Sequence, residues 1–214
     1  MAAPRTSTFF HGYAADFDAI YGTSTGPVNA LVNGLFRKSM RLRYEKTLEG
    51  CDPIAGRSVL DIGCGPGHYS VQLAKRGAGR IVGVDFAEGM LEIARKHAAA
   101  EGMADKCEFI KADFFTHQFG QPFDYVIVMG FMDYVEDAKA AVRRILELTA
   151  GKAFFSFPKG GGFLAWQRQL RYRSRCELYL YSEEQIRGPF AGLPGVEVRI
   201  ESIARDYFVT AAKR

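Results

Sequence analysis

The segment Val59-Leu60-Asp61-Ile62-Gly63-Cys64-Gly65-Pro66-Gly67 constrains this chain more than any other, because an apolar run of strand type passes directly into three glycines and a helical pattern follows. Gly63 and Gly65 free the backbone to turn and to approach a ligand with no Cβ in between. The helix N-terminus beyond offers unpaired N–H groups and the positive end of a dipole. A ligand therefore belongs at the carboxyl end of that strand, although a purely structural glycine turn has the same local sequence. The spacing G-x-G-x-G is one residue shorter than the dinucleotide fingerprint G-x-G-x-x-G, which argues against a nicotinamide cofactor.

The surroundings of the loop predict the architecture. From Gly56 onward, short β-branched runs alternate with helical patterns, the signature of a parallel sheet with helices on both faces. Strands are expected at Ser58–Ile62, 80–84, Cys107–Lys111, 123–129 and 153–157, with helices at 69–76, 87–100 and 139–149 between them. Ser182 opens a further helix with Gln185 as the partner of a capping box, and 196–200 with 207–211 alternate like a closing antiparallel pair. Before the sheet, Phe9, Tyr13, Phe17, Ile20 and Tyr21 recur on one helical face, Gly22 to Pro27 break the pattern, and a second helix carries Leu31, Val32, Leu35 and Phe36. Arg41 and Arg43 on that second helix read as exposed charge, with a reach toward a bound carboxylate as the alternative.

Composition narrows the class further. At 214 residues, 48% hydrophobic and 24% charged, the chain is a globular domain with an appendage and not a disordered one. No apolar run approaches the roughly 18 to 20 residues of a bilayer span, and the first seven residues lack the apolar stretch of a secretory signal, so a cytoplasmic protein is expected. The four cysteines, at 51, 64, 107 and 176, form no C-x-x-C pair, so neither zinc nor a disulfide framework is suggested. The net charge of +4 is uneven: residues 56–150 are net −2 and residues 151–214 net +5.

Two further acids stand where strands end. Asp85 closes the second strand 18 residues beyond Gly67, near the roughly 20-residue interval at which an acid meets a nucleoside ribose. With Glu88 three positions later it equally suits a helix cap. Phe86 and Met90 lie where an apolar surface would sandwich an adenine. Asp113, after the third strand, suits an adenine amino group with Phe114 beside it, the alternative being a surface turn. Asp61, Asp85 and Asp113 converge on one rim, which a set of unrelated turns would not arrange.

These motifs, with the fourth-strand segment Phe123-Asp124-Tyr125-Val126-Ile127-Val128-Met129, resemble a class I S-adenosylmethionine-dependent methyltransferase of the small-molecule type, over residues 9 to 211. The resemblance implies an α/β, Rossmann-like, doubly wound seven-stranded sheet with its last strand antiparallel and helices on both faces. It implies that Asp61, Gly63, Cys64, Gly65 and Gly67 hold the methionine part of the cofactor, Asp85 the ribose, Asp113 and Phe114 the adenine, and that Met129 lines the sulfonium. S-adenosylmethionine would be consumed and S-adenosylhomocysteine released, with no metal. The whole chain, 1–214, reads as one such domain: an N-terminal helical lid at 1–55, a cofactor-binding core at 56–157, a substrate-cover insert at 158–181, and a closing helix and strand pair at 182–214.

On the acceptor side, small-molecule members of the family often carry a histidine after the fourth strand, where this chain has Asp133 and Tyr134. Asp133 would serve as a base for a hydroxyl acceptor if burial raised its pKa, and Tyr134 would orient the acceptor or the sulfonium; a solvated or capping Asp133 is the plain alternative. In the lid, Tyr13 and Tyr21 are candidates for touching the cofactor, or are core. After the fifth strand, Lys159 and three glycines precede a segment in which Phe163, Trp166 and Leu170 share one helical face and Arg168, Arg171 and Arg175 another. This reads as a hinged cover in which Lys159, Trp166, Arg168 and Arg171 meet a small anionic or partly apolar acceptor, as a solvated amphipathic helix, or as a peripheral membrane-surface helix. The segment has a faint similarity to magnesium-protoporphyrin O-methyltransferases. A nucleic-acid partner is disfavoured by the modest charge and by the lack of an Asn/Asp-Pro-Pro-aromatic motif after the fourth strand. A non-catalytic S-adenosylmethionine-binding module is the remaining rival.

Overall fold

The computed structural model describes residues 27–162 and 177–214, with side chains from residue 37. In chain order the elements are α1 (Pro27–Gly50), β1 (Ser58–Ile62), α2 (His68–Lys75), β2 (Arg80–Asp85), α3 (Glu88–Ala100), β3 (Cys107–Lys111), β4 (Phe123–Val128), a 3₁₀ turn (Met132–Tyr134), α4 (Ala138–Glu147), β5 (Thr149–Pro158), α5 (Glu183–Phe190), β6 (Val196–Ile203) and β7 (Asp206–Lys213). The strands form one seven-stranded sheet in the order β3-β2-β1-β4-β5-β7-β6. The pairings from β3 through β5 are parallel, and β7 runs antiparallel to both β5 and β6.

Why the central strands read as unbroken apolar runs is clear from their two-sided burial. Val59, Ile81, Ile127 and Phe154 turn to the face where α1 and α2 place Leu48 and Leu73. Leu60, Val82, Val126 and Phe155 turn to the other, against Val142 and Ile145 of α4 and Ile186 of α5. The edge strand β6 has water on one side and alternates accordingly, with Val196, Val198 and Ile200 half-buried and Glu197 and Arg199 exposed. The parallel pairing matters for function because it puts the carboxyl ends of β1 to β5 on one rim, the usual location of ligands in open α/β sheets.

Local signals account for the boundaries. Asp137 caps α4 by accepting from the Ala140 amide at 2.9 Å, and Ser182 with Gln185 forms the expected capping box. The fifth strand begins four residues earlier than the sequence suggests. Thr149 Oγ1 donates to the Ile145 carbonyl at 2.7 Å and ends α4, and Gly151 then passes so near β4 that a Cβ there would lie 2.6 Å from the Asp124 oxygen. One expectation is corrected outright. Arg43 is not an exposed helix charge but is buried at 7% exposure, whereas Arg41 is exposed and pairs with Glu45.

Among the described residues no helix is long and apolar enough to cross a membrane, and no group of three or more His, Cys, Asp or Glu side chains is placed to hold a metal ion.

Candidate cofactor and acceptor site

The rim is built on the turn from β1 into α2. Gly63 and Gly65 have φ of +67° and +51°, the left-handed region that side chains disfavour. At Gly63 space is also short: a Cβ would stand 3.1 Å from Cδ2 of Phe131, which leans over the loop from the end of β4. At Gly65 no described residue lies within 4 Å of that position. The loop is tied to β2 by the Gly63 and Cys64 amides, which donate to the Val84 carbonyl at 2.8 and 3.2 Å.

Asp85 secures the same loop from β2. Its Oδ2 accepts from the Gly65 amide at 3.0 Å and its Oδ1 from the Ala87 amide at 2.9 Å. It is therefore not the cap of α3, whose N-cap residue is Ala87.

Asp61 lies beneath the loop, 2% exposed, on the face of β1 that meets α2, where Ser70 Oγ donates to its Oδ2 at 2.7 Å. Burial raises its pKa to about 7, against the pull of the Ser70 hydrogen bond, and the charge of Asp85 adds to the rise. Cys64 is buried beside it, and its thiol is pushed well above the ordinary range by the same desolvation and by the two acids.

From β3, Asp113 Oδ1 accepts from the Phe115 amide at 2.8 Å in a tight turn, which leaves Asp113 half-buried at the rim. Phe114 is interior, 4% exposed, and meets Phe131 edge-on at 5.8 Å between ring centres. Met90 is likewise interior at 2%, whereas Phe86 and Met129 are half-buried. Glycine loop, Asp61, Asp85, Phe86, Asp113 and Met129 thus gather at one edge, with Cys64, Met90 and Phe114 supporting it from inside.

Past β4 the chain turns at Gly130 into the 3₁₀ turn that holds Asp133, 3% exposed, and the half-buried Tyr134. Segment 177–181 returns here: the Tyr179 amide donates to the Asp133 carbonyl at 2.9 Å, the Tyr181 amide to the Pro158 carbonyl at 2.9 Å, and the Gly160 amide to the Tyr181 carbonyl at 2.8 Å. Tyr181 donates its hydroxyl toward the Met132 and Val135 carbonyls, and its pKa is raised by burial and then by the charge of Asp133. Lys159 is engaged elsewhere. Its Nζ donates to Ser202 Oγ at 2.6 Å and to the Ala204 carbonyl at 2.9 Å, above the Tyr207 ring. Tyr13, Tyr21, Trp166, Arg168 and Arg171 lie outside the described residues.

Several site residues were not singled out by sequence reasoning. Ser70 and Phe131 had only their spacing from Asp61 and Gly63 to mark them, and Ser156 and Asp206 had no mark at all, since each meets Arg43 from a distant element.

A doubly wound sheet in this order, with a glycine turn after β1 and acids at or just beyond the ends of β1, β2 and β3, defines an α/β protein of the Rossmann-like class. Comparison with known proteins narrows it: residues 59–151 match the family model described as a methyltransferase domain. The ubiquinone biosynthesis O-methyltransferase of Neisseria meningitidis serogroup A is 38% identical over 120 residues, 55% of this chain and 49% of that protein. The chain spans about half the length of the curated relatives it matches. The fold is shared with magnesium protoporphyrin IX methyltransferase from Synechocystis PCC 6803 with bound SAH, at a TM-score of 0.75 and 20% identity over 97% of this chain and 98% of that one. A DhpI complex with SAM and HEP has a TM-score of 0.69 and 16% identity over 98% and 96%. Over residues 59–151 the chain is thus similar to methyltransferase domains, and it shares its fold with solved methyltransferases.

Proposed function

We propose that this protein transfers the methyl group of S-adenosylmethionine to a small acceptor lying at the carboxyl ends of β4 and β5. The observation that carries the reading is the Asp85 carboxylate, which ends β2 at the rim and holds the Gly65 amide at the open point of the glycine turn. A ribose with two hydroxyls suits that arrangement. Asp113 would take the adenine amino group and Phe86 would flank the ring, while Asp61 and the loop would face the methionine part. Bound there, S-adenosylmethionine supplies a methyl group already activated by its sulfonium.

The chain's own work is then alignment and proton management. Phe131 closes the loop from above and keeps water from the site. Asp133 would receive the proton of a hydroxyl acceptor, and Tyr134 would orient that acceptor. Oxygen is favoured as the acceptor atom because the matching relative is an O-methyltransferase by name. A small anionic or partly apolar acceptor is supported by the net charge of +5 on residues 151–214. Lys159, whose Nζ donates to Ser202 and Ala204 at the β6–β7 turn, would line the acceptor side.

The test is a binding titration with S-adenosylhomocysteine followed by transfer of a radiolabelled methyl group to a panel of phenols, carboxylates and amines. Saturable binding with label appearing in one acceptor class is the expected result. Binding without transfer to any acceptor would favour the non-catalytic module, and preference for a nicotinamide dinucleotide would overturn the reading altogether.

A further inference from the structure

The least expected feature of the fold is a buried cation on α1. Arg43 Nη1 donates to Ser156 Oγ at 3.2 Å and Nη2 to Met40 Sδ at 3.0 Å, while Nε lies 3.7 Å from Asp206 Oδ2 and, though buried, makes no hydrogen bond among the described residues. Arg43, Ser156 and Asp206 are 7%, 0% and 3% exposed. A guanidinium so enclosed is costly to desolvate, and the Asp206 carboxylate compensates it only in part. Ser156 sits on the face of β5 that meets α1, next to Phe154, and its Oγ accepts a second hydrogen bond, from the Gly130 amide at 2.8 Å.

That second bond connects the cation to the site. Gly130 has φ of +73° and is the first residue of the turn that carries Phe131 and Asp133. Phe131 in turn limits the space above Gly63. A hydroxyl oxygen has two acceptor positions, and here one takes the charge-assisted donor from α1 and the other the amide of the turn.

We propose that Arg43 is a positioning residue which, through Ser156, fixes the Gly130 amide and so sets the height of Phe131 over the cofactor loop. The inference rests on the methyltransferase reading for its link to the cofactor, but its structural half stands without it. Helix α1 is on this account part of the site's wall and not only its cover.

The experiment reads amide hydrogen exchange at Gly130 and the dissociation constant of S-adenosylhomocysteine in Ser156→Ala and Arg43→Lys, with Thr149→Ala as a control that removes a buried hydroxyl far from the set. Ser156→Ala is expected to speed Gly130 exchange about tenfold and to weaken S-adenosylhomocysteine by about five- to tenfold, the scale of one lost hydrogen bond. Arg43→Lys, which keeps the charge but not the fork, should fall between wild type and Ser156→Ala, and Thr149→Ala should change neither quantity by more than about twofold. If Arg43→Lys does not fold, the double variant Arg43→Met/Asp206→Asn removes both buried charges and is read in the same way. Unchanged Gly130 exchange and affinity in Ser156→Ala, or equal shifts in Thr149→Ala, would overturn the proposal. If wild type bound no S-adenosylhomocysteine, the proposed function would fall and Gly130 exchange alone would decide the positioning role.

Discussion

Replacing Asp61 by asparagine should make the ligand-free protein more stable, and by an amount that depends on pH. The acid is 2% exposed and its pKa is raised from 3.8 to about 7, chiefly by burial. A carboxyl group shifted upward binds its proton more tightly folded than unfolded, so its ionisation disfavours the fold. That penalty is absent below pH 3.8, grows between 3.8 and about 7, and is constant above. At about 1.36 kcal/mol per pH unit it reaches about 4 kcal/mol at pH 8 and less than half of that at pH 5. The asparagine side chain would keep the hydrogen bond from Ser70 Oγ, at 2.7 Å in the native protein, while carrying no charge. Urea unfolding followed by far-ultraviolet circular dichroism at pH 5, 6.5 and 8 measures the difference. The advantage of Asp61→Asn should rise by about 2 to 3 kcal/mol from pH 5 to pH 8, toward the ceiling that burial alone sets. An advantage that is flat with pH, or a net loss at pH 8, would refute the placement of an ionisable, desolvated acid beneath the loop.

Other expectations follow from the same geometry. Gly65→Ala, at φ +51° with no described residue within 4 Å of the new Cβ, should cost about 1–2 kcal/mol of stability yet abolish S-adenosylhomocysteine binding, because the methyl group would stand where the ligand is proposed to approach. Gly67→Ala, at φ +75° with a Cβ only 3.0 Å from that of Ala94, should cost at least about 2 kcal/mol in urea unfolding; equal losses at the two positions would contradict this. The thiols of Cys51 and Cys107, pushed up to about 12 and about 11, and that of buried Cys64 should react slowly with a thiol reagent at pH 8 until urea is added. Asp133→Asn should lower methyl transfer to a hydroxyl acceptor at least about tenfold while S-adenosylhomocysteine affinity stays within about twofold, and an unchanged rate would remove Asp133 from the role of base.

The parallel sheet was legible because its strands are short apolar runs with helical patterns between them, and the rim because a glycine turn and two acids recur at strand ends. Asp61, Asp85 and Asp113 could be placed at one edge from their positions alone, since topology sends the carboxyl ends of parallel strands the same way. Which way each side chain turns was not legible. Asp85 read as a ribose ligand, with a helix cap as the alternative, and in the structure its two oxygens accept from the Gly65 and Ala87 amides. Phe114 was expected beside an adenine, and the sequence did not show that Phe115, Phe119 and Phe131 would pack around it and leave it 4% exposed.

What the sequence determined by itself was the periodic part of the protein: the alternation of strands and helices, the turn at β1, the acids at the strand ends and the capping box at Ser182. Such features depend on residues a few positions apart, where backbone preference and side-chain spacing act locally. What only the tertiary structure decided was the burial of Arg43, its approach to Ser156 and Asp206, and the hold of Ser156 on Gly130. The contacts of Arg43 with Ser156 and Asp206 join residues more than a hundred positions apart, and the balance between desolvating a guanidinium and satisfying it exists only once α1 lies on β5 and β7.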